Sequence, residues 1–249
     1  MLKQERHQLI LHKLKINRKV LSAILSDELL VSEDTIRRDL KELEAKQLLY
    51  KVHGGALSIE NRILSYEERS VSDLDKKKKI AKKAVHLIHD GQVIIMTGST
   101  TNLELVKLIP DQIIATIFTY SLPIALQLSH HPSIEVIFIG GKLNKTAQVT
   151  VGIDVVNAIS DLRADICFMG TDAINIENGM TEADWEVAHI KRCMIEASDY
   201  VVSMCISPKI MKARRYSVVP IRHIDVIVTD DNSEDLNFSK FREMGLVIL

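Results

Sequence analysis

Apolar side chains recur every three or four positions near the start of the chain, which is the spacing of amphipathic helices. This spacing predicts a first helix from Leu2 to about Leu14 and a second from Leu21 to Glu28. Three apolar residues in and just after the second helix are expected to face inward: Ile24, Leu25 and Leu29. The short stretch 30–31 is then interpreted as the turn of a helix-turn-helix.

The next helix is expected to have one apolar face and one basic face. Ser32 is suited to cap its start, and the helix should run to about Lys46. On a helical wheel the apolar face consists of Ile36, Leu40 and Leu43. The opposite face carries Arg37, Arg38 and Lys41. Because the apolar face would pack against the first two helices, the basic face is left free.

The residues after this helix predict a short strand and a tight hairpin. Residues 48–52 read LLYKV, and Gly54 and Gly55 can adopt the positive φ angles that a hairpin tip requires. Helix, strand and turn in this order are typical of a winged helix-turn-helix, so residues 1–57 are interpreted as one small domain. The polar residues 58–75, SIENRILSYEERSVSDLD, are interpreted as a linker.

The pattern of residues 76–249 predicts an α/β domain. Residues 76–79 are four lysines, which suit a nucleic-acid surface but are better explained as the solvated first turn of a helix ending near His89. Beyond Asp90, β-branched runs alternate with helices, and the runs cover residues 93–96, 113–118, 134–139, 165–170, 200–206 and 225–229. Such runs are typical of a parallel sheet covered on both faces. We expect a Rossmann-like three-layer α/β sandwich with a mostly parallel sheet.

Composition and charge narrow the class of protein. The chain has 249 residues, of which 46% are hydrophobic and 26% charged, and its net charge is -1. Residues 1–60 carry 11 Lys and Arg against 9 Asp and Glu, a weak excess for binding a polyanion. The three cysteines include no Cys-x-x-Cys pair, so neither a disulfide framework nor a zinc site is expected, and the reducing cytoplasm is the expected location. No apolar run has the length of a membrane span, and no signal-peptide pattern is present.

Two neighbouring motifs make the first domain recognisable. Residues 31–44 read VSEDTIRRDLKELE and residues 50–56 read YKVHGGA, and together they resemble the amino-terminal domain of the DeoR family of bacterial transcriptional regulators. Gln47 stands where that family usually has a glycine. The resemblance implies binding of double-stranded operator DNA by Ser32, Thr35, Arg37, Arg38, Lys41, Lys51, His53, Gly54 and Gly55. Whether an arginine here contacts a base edge or a phosphate is left open.

The loop after the first strand of the α/β domain has the composition of an anion site. Residues 96–102 read MTGSTTN, in which Gly98 permits close approach and the hydroxyls of Ser99, Thr100 and Thr101 precede a helix. Backbone N–H groups at a helix start, with such hydroxyls beside them, can bind a phosphate or carboxylate. Serine and threonine are also ordinary helix caps, so the residues alone favour neither reading.

The resemblance to the DeoR family continues into this second domain and implies an effector site. The family's sensor domain resembles ribose-5-phosphate isomerase in fold and typically binds a phosphorylated sugar. Its motifs match the loop 96–100 and several later segments. The effector-binding residues that this implies are Gly98, Ser99, Thr100, Thr101, Tyr120, Gly140, Gly141, Lys142, Asp172, Glu186, Lys191 and Lys209.

Three positions in this site depart from the family pattern. Met96 replaces the aspartate of the loop, Tyr120 replaces an asparagine, and Ile206 stands where a carboxylate is usual, three residues before Lys209. The losses remove acceptors that would bind sugar hydroxyls. We therefore hypothesise an effector that is larger or less hydroxylated than the usual small sugar phosphate.

These observations favour a DNA-binding regulator, namely a repressor of a carbohydrate-utilisation operon controlled by a phosphorylated sugar or related metabolite. Its expected partners are operator DNA, the effector and further copies of the chain in a dimer or tetramer; no membrane, cofactor or metal is expected. One alternative is a sugar-phosphate enzyme that uses Asp172, Glu186 and Lys191, but the loss of carboxylates from the site argues against turnover. A winged helix used only for protein contacts would leave the basic face of the third helix without a purpose.

Overall fold

The computed structural model describes residues 1–17, 19–46, 48–58, 65–232, 234–235 and 238–249. The chain divides into two compact units, Met1–Ile63 and Leu64–Leu249. Gln47, which replaces a glycine of the DeoR pattern, lies outside the described residues, as do residues 59–64 of the predicted linker. The linker over residues 58–75 and the domain limits on either side of it stay predictions.

The first unit is a winged helix-turn-helix. Its elements are α1 (Lys3–Asn17), β1 (Lys19–Leu21), α2 (Ser22–Leu29), α3 (Glu33–Ala45), β2 (Tyr50–Val52) and β3 (Gly55–Leu57). The strands form an antiparallel sheet in the order β1-β3-β2. The three predicted helices and the hairpin are confirmed. Strand β1 was not predicted, because three residues are too few to show a strand periodicity.

One face of each helix forms the core of this unit. The buried apolar side chains are Ile10, Leu14, Val20, Leu25, Ile36, Leu40, Leu43, Leu49 and Ala56. The prediction that Ile24 faces inward is wrong, since its side chain is 53% exposed. Helix α2 instead buries Ser22 and Leu25, which lie three residues apart on one face, and Ile24 points away from that face.

The second unit contains a parallel sheet with helices on both faces. Its elements are α4 (Tyr66–Val71), α5 (Leu74–Ala84), β4 (Val93–Met96), α6 (Thr100–Val106), β5 (Ala115–Thr119), α7 (Leu122–Leu128), β6 (Ile134–Phe138), β7 (Lys142–Asn144), β8 (Val149–Val151), α8 (Ile153–Ser160), β9 (Ile166–Gly170), β10 (Ala173–Asn175), β11 (Gly179–Glu182), α9 (Trp185–Glu196), β12 (Val201–Met204), β13 (Tyr216–Val219), β14 (Val226–Val228), α10 (Ser239–Glu243) and β15 (Val247–Ile248). Short 3-10 helices cover Val85–Leu87, Ser207–Lys209 and Ile221–His223.

The main sheet has seven strands in the order β15-β14-β12-β9-β4-β5-β6, and every neighbouring pair is parallel. Alternate residues of one strand enter different cores. Ile94 and Met96 pack with α5, α6 and α7, whereas Ile95 packs with α8 and α9 on the opposite face. All six predicted strand runs lie in this sheet, so the prediction of a three-layer α/β sandwich is confirmed.

Shorter antiparallel strands extend the second unit beyond the predicted sandwich. β7 pairs with β8, and β10, β11 and β13 form a separate three-stranded sheet. These strands have three or four residues each, which is too short for a clear alternation. In the part of the chain that the structure describes, no helix is long and apolar enough to cross a membrane.

The lysine run at the start of α5 is not uniformly solvated as predicted. Lys77 is only 4% exposed, and its ammonium group donates to the backbone carbonyls of Arg69 and Ser72. Burial, and after it the positive charge of Lys209, lower the pKa of Lys77 to about 8. Lys77 therefore fixes the end of α4 to α5, a role that a run of four identical residues conceals.

Candidate DNA-binding surface and effector site

Helix α3 starts at a polar cap and presents two unpaired cations. Ser32 accepts a hydrogen bond from the backbone N–H of Thr35 at 3.3 Å, as expected for an N-cap. Arg37 lies 3.4 Å from carboxylate oxygens of the first turn of its own helix. Arg38 and Lys41 are exposed, and within the described residues neither forms an ion pair. Both are therefore available to a polyanion.

A buried ion pair that the sequence analysis missed fixes the orientation of α3. Asp39 is 2% exposed and accepts hydrogen bonds from Arg6, with Nη2 at 3.0 Å, and from His7, with Nε2 at 3.1 Å. Burial alone would raise the pKa of Asp39, but the hydrogen bonds from Arg6 and His7 hold it below its ordinary value. The helical spacing could have indicated that Asp39 is buried, because Asp39 follows Ile36 by three residues and so lies on the apolar face of α3.

The two wing glycines are required for different reasons. Gly54 has φ +77° at the hairpin tip and has open space around it. The expectation of a positive φ at Gly55 is wrong. Gly55 pairs with Leu21 and Val52, and a Cβ there would lie 2.0 Å from the carbonyl oxygen of Val20. The side chains of Lys51 and His53 are exposed beside this tip.

In the second unit, the loop between β4 and α6 is held by its own polar residues. Ser99 caps α6 by accepting from the backbone N–H of Asn102 at 2.9 Å, so the capping reading holds for this residue. The amide of Asn102 donates to the carbonyl oxygens of Thr97 and Phe168 at 2.9 and 2.8 Å. Thr100 and Thr101 are each 7% exposed. Gly98 and Gly170 permit the close packing, since a Cβ at Gly170 would lie 2.0 Å from that of Ser99.

The carboxyl end of β9 brings two of the predicted lysines together with carboxylates. Lys191 donates to the carbonyl oxygen of Gly170 at 2.7 Å and pairs with the buried carboxylate of Glu182. Lys209 lies 3.5 Å from Asp172 and donates to the carbonyl oxygen of Thr171 at 3.1 Å.

Arg214 reaches the other oxygen of Asp172 at 3.1 Å. Although burial opposes it, the positive charges of Lys209 and Arg214 hold the pKa of Asp172 below its ordinary value. Glu182 and Arg214 were not predicted, because neither belongs to a spacing that indicates a site.

The remaining predicted effector residues lie after β5, after β6 and at the start of α9. Tyr120 is 1% exposed, and burial raises the pKa of its phenol. Lys142 is exposed at 4.0 Å from Glu186, while Gly140 and Gly141 connect β6 to β7. Met96 and Ile206, two of the positions that differ from the DeoR family pattern, are buried in the same apolar core.

Within the described residues, no group of three His, Cys, Asp or Glu side chains could hold a metal ion. A depression of about 280 Å³ lined by Tyr200, Arg222 and Asp225 lies at the amino ends of the strands, opposite the predicted site. Ligands of open parallel sheets bind beyond the carboxyl ends. This depression is therefore not taken as the effector site.

Two family models match the chain. The DeoR-like helix-turn-helix domain matches residues 6–62, and the DeoR C-terminal sensor domain matches residues 72–231. Among solved structures, ribose 5-phosphate isomerase A from Methanocaldococcus jannaschii is similar with a TM-score of 0.43 and 16% identity, covering 57% of this chain and 56% of its own.

Several curated relatives match over nearly their whole length. The HTH-type transcriptional regulator GolR of Listeria innocua is 32% identical over 98% of this chain and 97% of its own. The HTH-type transcriptional repressor GlcR of Bacillus subtilis is 32% identical over 92% and 89%, and the putative aga operon transcriptional repressor of Escherichia coli O157:H7 is 26% identical over 98% and 93%. With a reading helix, a wing and an α/β sensor domain in this order, the chain belongs to the DeoR family of DNA-binding transcriptional regulators.

Proposed function

We propose that the protein represses a carbohydrate-utilisation operon and is released from its operator when a phosphorylated sugar or a related anionic metabolite binds the second unit. The observation that carries this proposal is that Arg38 and Lys41 are exposed and form no ion pair with the described residues, on a helix whose other face is packed in the core. Two relatives that match most of the chain carry the name of a transcriptional repressor, and one of them is named the putative aga operon transcriptional repressor.

The DNA contacts of this proposal come from one helix and one hairpin. Helix α3 enters the major groove with Ser32, Thr35, Arg37, Arg38 and Lys41. The wing residues Lys51, His53, Gly54 and Gly55 contact the sugar-phosphate backbone beside it. Two copies of the reading helix fit the two half-sites of a palindromic operator, and we propose a dimer or tetramer.

The effector is proposed to bind at the carboxyl ends of β4 and β9. Gly98, Ser99, Thr100 and Thr101 form one wall, and Asp172, Lys191 and Lys209 form another. Tyr120, Gly140, Gly141, Lys142 and Glu186 complete the proposed set. The effector can shift the protein away from its DNA-bound state only by the difference in its affinity for the two states.

Turnover of the effector is not part of the proposal. A sugar-phosphate isomerase requires a general base whose pKa is matched to neutral pH. Here the carboxylate of Asp172 faces Lys209 and Arg214, and its pKa is lowered, which makes it a weak base. Glu182 is already paired with Lys191.

Genomic footprinting tests the proposed function. The purified protein would be incubated at fixed salt with genomic DNA from the organism that encodes it, since affinity for DNA depends steeply on salt. We expect a discrete protected site beside genes of carbohydrate transport or catabolism. A variant with Arg38→Ala and Lys41→Ala serves as the control and should lose protection. Absence of any site above background with the wild-type protein would overturn the proposal.

The chemistry of the effector is tested separately by a thermal-shift panel of sugar phosphates and larger anionic metabolites. The apolar residues Met96 and Ile206 and the buried Tyr120 remove acceptors for hydroxyl groups, so small sugar phosphates should stabilise the protein weakly. Strong stabilisation by a common small sugar phosphate would contradict the hypothesis of an altered effector.

A further inference from the structure

Helix α4 contacts the segment between β7 and β8 and packs against α6, which starts at the carboxyl end of β4 where the effector is proposed to bind. The backbone N–H of Tyr66 donates to the carbonyl oxygen of Thr146 at 2.9 Å, and the side chain of Gln148 donates to Glu67 at 2.5 Å. The carbonyl oxygen of Gln148 in turn accepts from the backbone N–H of Leu122 at 3.1 Å. The start of α4 is thereby connected to the start of α7, and α4 also packs against α6.

Three polar atoms in and near these elements are buried and have no partner in the part of the chain that the structure describes. They are the hydroxyl of Tyr66, the Nε of Arg69 and the hydroxyl of Ser121. Tyr66 is 6% exposed and Ser121 is fully buried, and within the described residues none of these atoms has a hydrogen bond. A hypothetical Cβ on Gly98 would lie 3.4 Å from the Ser121 hydroxyl, so this group borders the proposed effector loop.

Buried polar atoms without partners are rare, because each loses its hydrogen bonds to water and gains none in return. Buried polar groups usually have such partners, as Lys77 does nearby: its buried ammonium group donates to two carbonyl oxygens at the end of α4. The three unpartnered atoms are all able to donate a hydrogen bond. Each of them would be satisfied by a ligand atom that accepts a hydrogen bond.

The charges around these atoms favour an anionic ligand. Arg69 stacks over the ring of Tyr66, with 5.8 Å between the guanidinium carbon and the ring centroid. The ammonium group of Lys77 donates to the carbonyl oxygen of Arg69, and its pKa is lowered first by burial and then by the positive charge of Lys209, with a smaller effect of Arg69. The negative charges of Asp73 and Glu104 raise the pKa of Lys77 and so act in the opposite direction. The carboxylate of Glu104 is itself paired with Lys107 at 2.6 Å.

We propose that Arg69, Tyr66 and Ser121 bind the anionic group, a phosphate or carboxylate, of the effector. The guanidinium of Arg69 would form charge-assisted hydrogen bonds with the anion, and the two hydroxyls would donate to its remaining oxygens. This inference rests on the proposed function and adds to it that α4 is a wall of the effector site. Helix α4 is the first helix of the second unit, so the effector would bind the element of that unit that lies nearest in sequence to the first unit.

Inorganic phosphate is the probe for the first test. Its affinity for the full-length protein would be measured by isothermal titration, with sodium chloride keeping the ionic strength constant. We expect Arg69→Ala to weaken phosphate binding on the order of tenfold or more, because it removes hydrogen bonds from a charged group, which are stronger than neutral ones. Arg69→Lys should weaken binding less, because lysine keeps the positive charge. Arg163→Ala is the matched control, since Arg163 is exposed and precedes the amino end of β9.

Tyr66→Phe and Ser121→Ala separate ligand binding from folding. Each removes a buried hydroxyl that has no partner, so the thermal midpoint without phosphate should stay the same or rise. In the presence of phosphate, each variant should bind several-fold more weakly than the wild type. Phosphate binding by these variants and by Arg69→Ala at wild-type affinity would overturn the proposal, as would the absence of saturable phosphate binding to the wild-type protein.

Operator binding distinguishes this inference from the proposed function itself. Arg69→Ala, Tyr66→Phe and Ser121→Ala should each protect the operator as the wild type does, because none of these residues belongs to the proposed DNA contacts. Loss of phosphate binding with retained protection supports the inference. If the wild-type protein protects no site, the proposed function fails independently of the phosphate result.

Discussion

Asp39 shows how a single residue can support DNA binding without contacting DNA. Its carboxylate lies on the packed face of α3 and accepts hydrogen bonds from Arg6 and His7 of α1. The neighbouring Arg38 is exposed on the other face. The ion pair therefore determines how α3 is oriented against α1, and with it which side chains are presented to a DNA groove.

Asp39→Asn is expected to destabilise the first unit by about 3 kcal/mol, because it leaves the buried Arg6 without its counter-charge. Thermal or urea unfolding monitored at α1 and α3 would measure this change. Asp34→Asn is the control, since Asp34 is 74% exposed on the same helix and should change the free energy of unfolding by no more than about 0.5 kcal/mol. Equal stability of the Asp39→Asn variant and the wild type would show that the ion pair has no net effect.

Arg38→Ala is expected to weaken operator binding by at least about 1 kcal/mol, the lower range for loss of a base or phosphate contact. Titrations at several salt concentrations would identify the contact. A phosphate contact would lower the salt dependence of binding, whereas a base contact would relax sequence preference at one position. Lys15→Ala removes one exposed charge from the end of α1 and is the control. An Arg38→Ala variant that binds like this control would place the contact elsewhere.

At the scale of elements, the wing depends on two glycines in different ways. Strand β3 lies between β1 and β2, so Gly55 faces the backbone of Val20 directly. Gly54 faces solvent at the tip and is required only for its backbone conformation.

We expect Gly55→Ala to destabilise the first unit by about 2 kcal/mol, because its Cβ would meet a backbone oxygen that cannot move without disturbing the sheet. Gly54→Ala should cost about 1 kcal/mol, the penalty of a left-handed conformation for an alanine. Urea unfolding of the two variants gives the comparison. A larger loss for Gly54→Ala than for Gly55→Ala would contradict this account of the wing.

At the scale of the whole molecule, buried titratable groups limit the pH range of stability. On the acid side, Asp39 has a folded pKa below its ordinary value of 3.8. Its stabilisation is complete above pH 3.8 and is lost as the pH falls through the lower, folded pKa. On the alkaline side, burial raises the pKa of Cys167 and of Cys205 from 9.0 to about 12. Their contribution is complete below pH 9 and is lost as the pH rises towards 12.

We therefore expect the thermal midpoint of the second unit to fall between pH 9 and pH 11 in the presence of a reducing agent. The loss corresponds to about 1 kcal/mol per pH unit for each buried thiol. Cys205→Ala removes one of these thiols, so its midpoint should fall less steeply over the same range, whatever its stability at pH 8. Parallel profiles for the variant and the wild type would exclude the thiol as a cause.

The sequence by itself determined the elements whose patterns are long enough to be read. The face formed by Ile36, Leu40 and Leu43 predicted α3, and six β-branched runs predicted most of a parallel sheet. Ser32 and Ser99 were recognised as residues suited to cap a helix, because a cap depends on neighbours within three residues. These features are local in the chain, so local spacing is sufficient to reveal them.

Only the tertiary structure decided which distant residues meet. The ion pairs of Asp39 with Arg6 and of Glu182 with Lys191 join separate elements, and nothing in the local spacing indicates the second. The burial of Lys77 and the unpartnered hydroxyls of Tyr66 and Ser121 follow from the way α4 and the neighbouring elements pack together. Such contacts depend on how elements are arranged in space, because burial and the absence of a partner are properties of the surroundings and not of the residue.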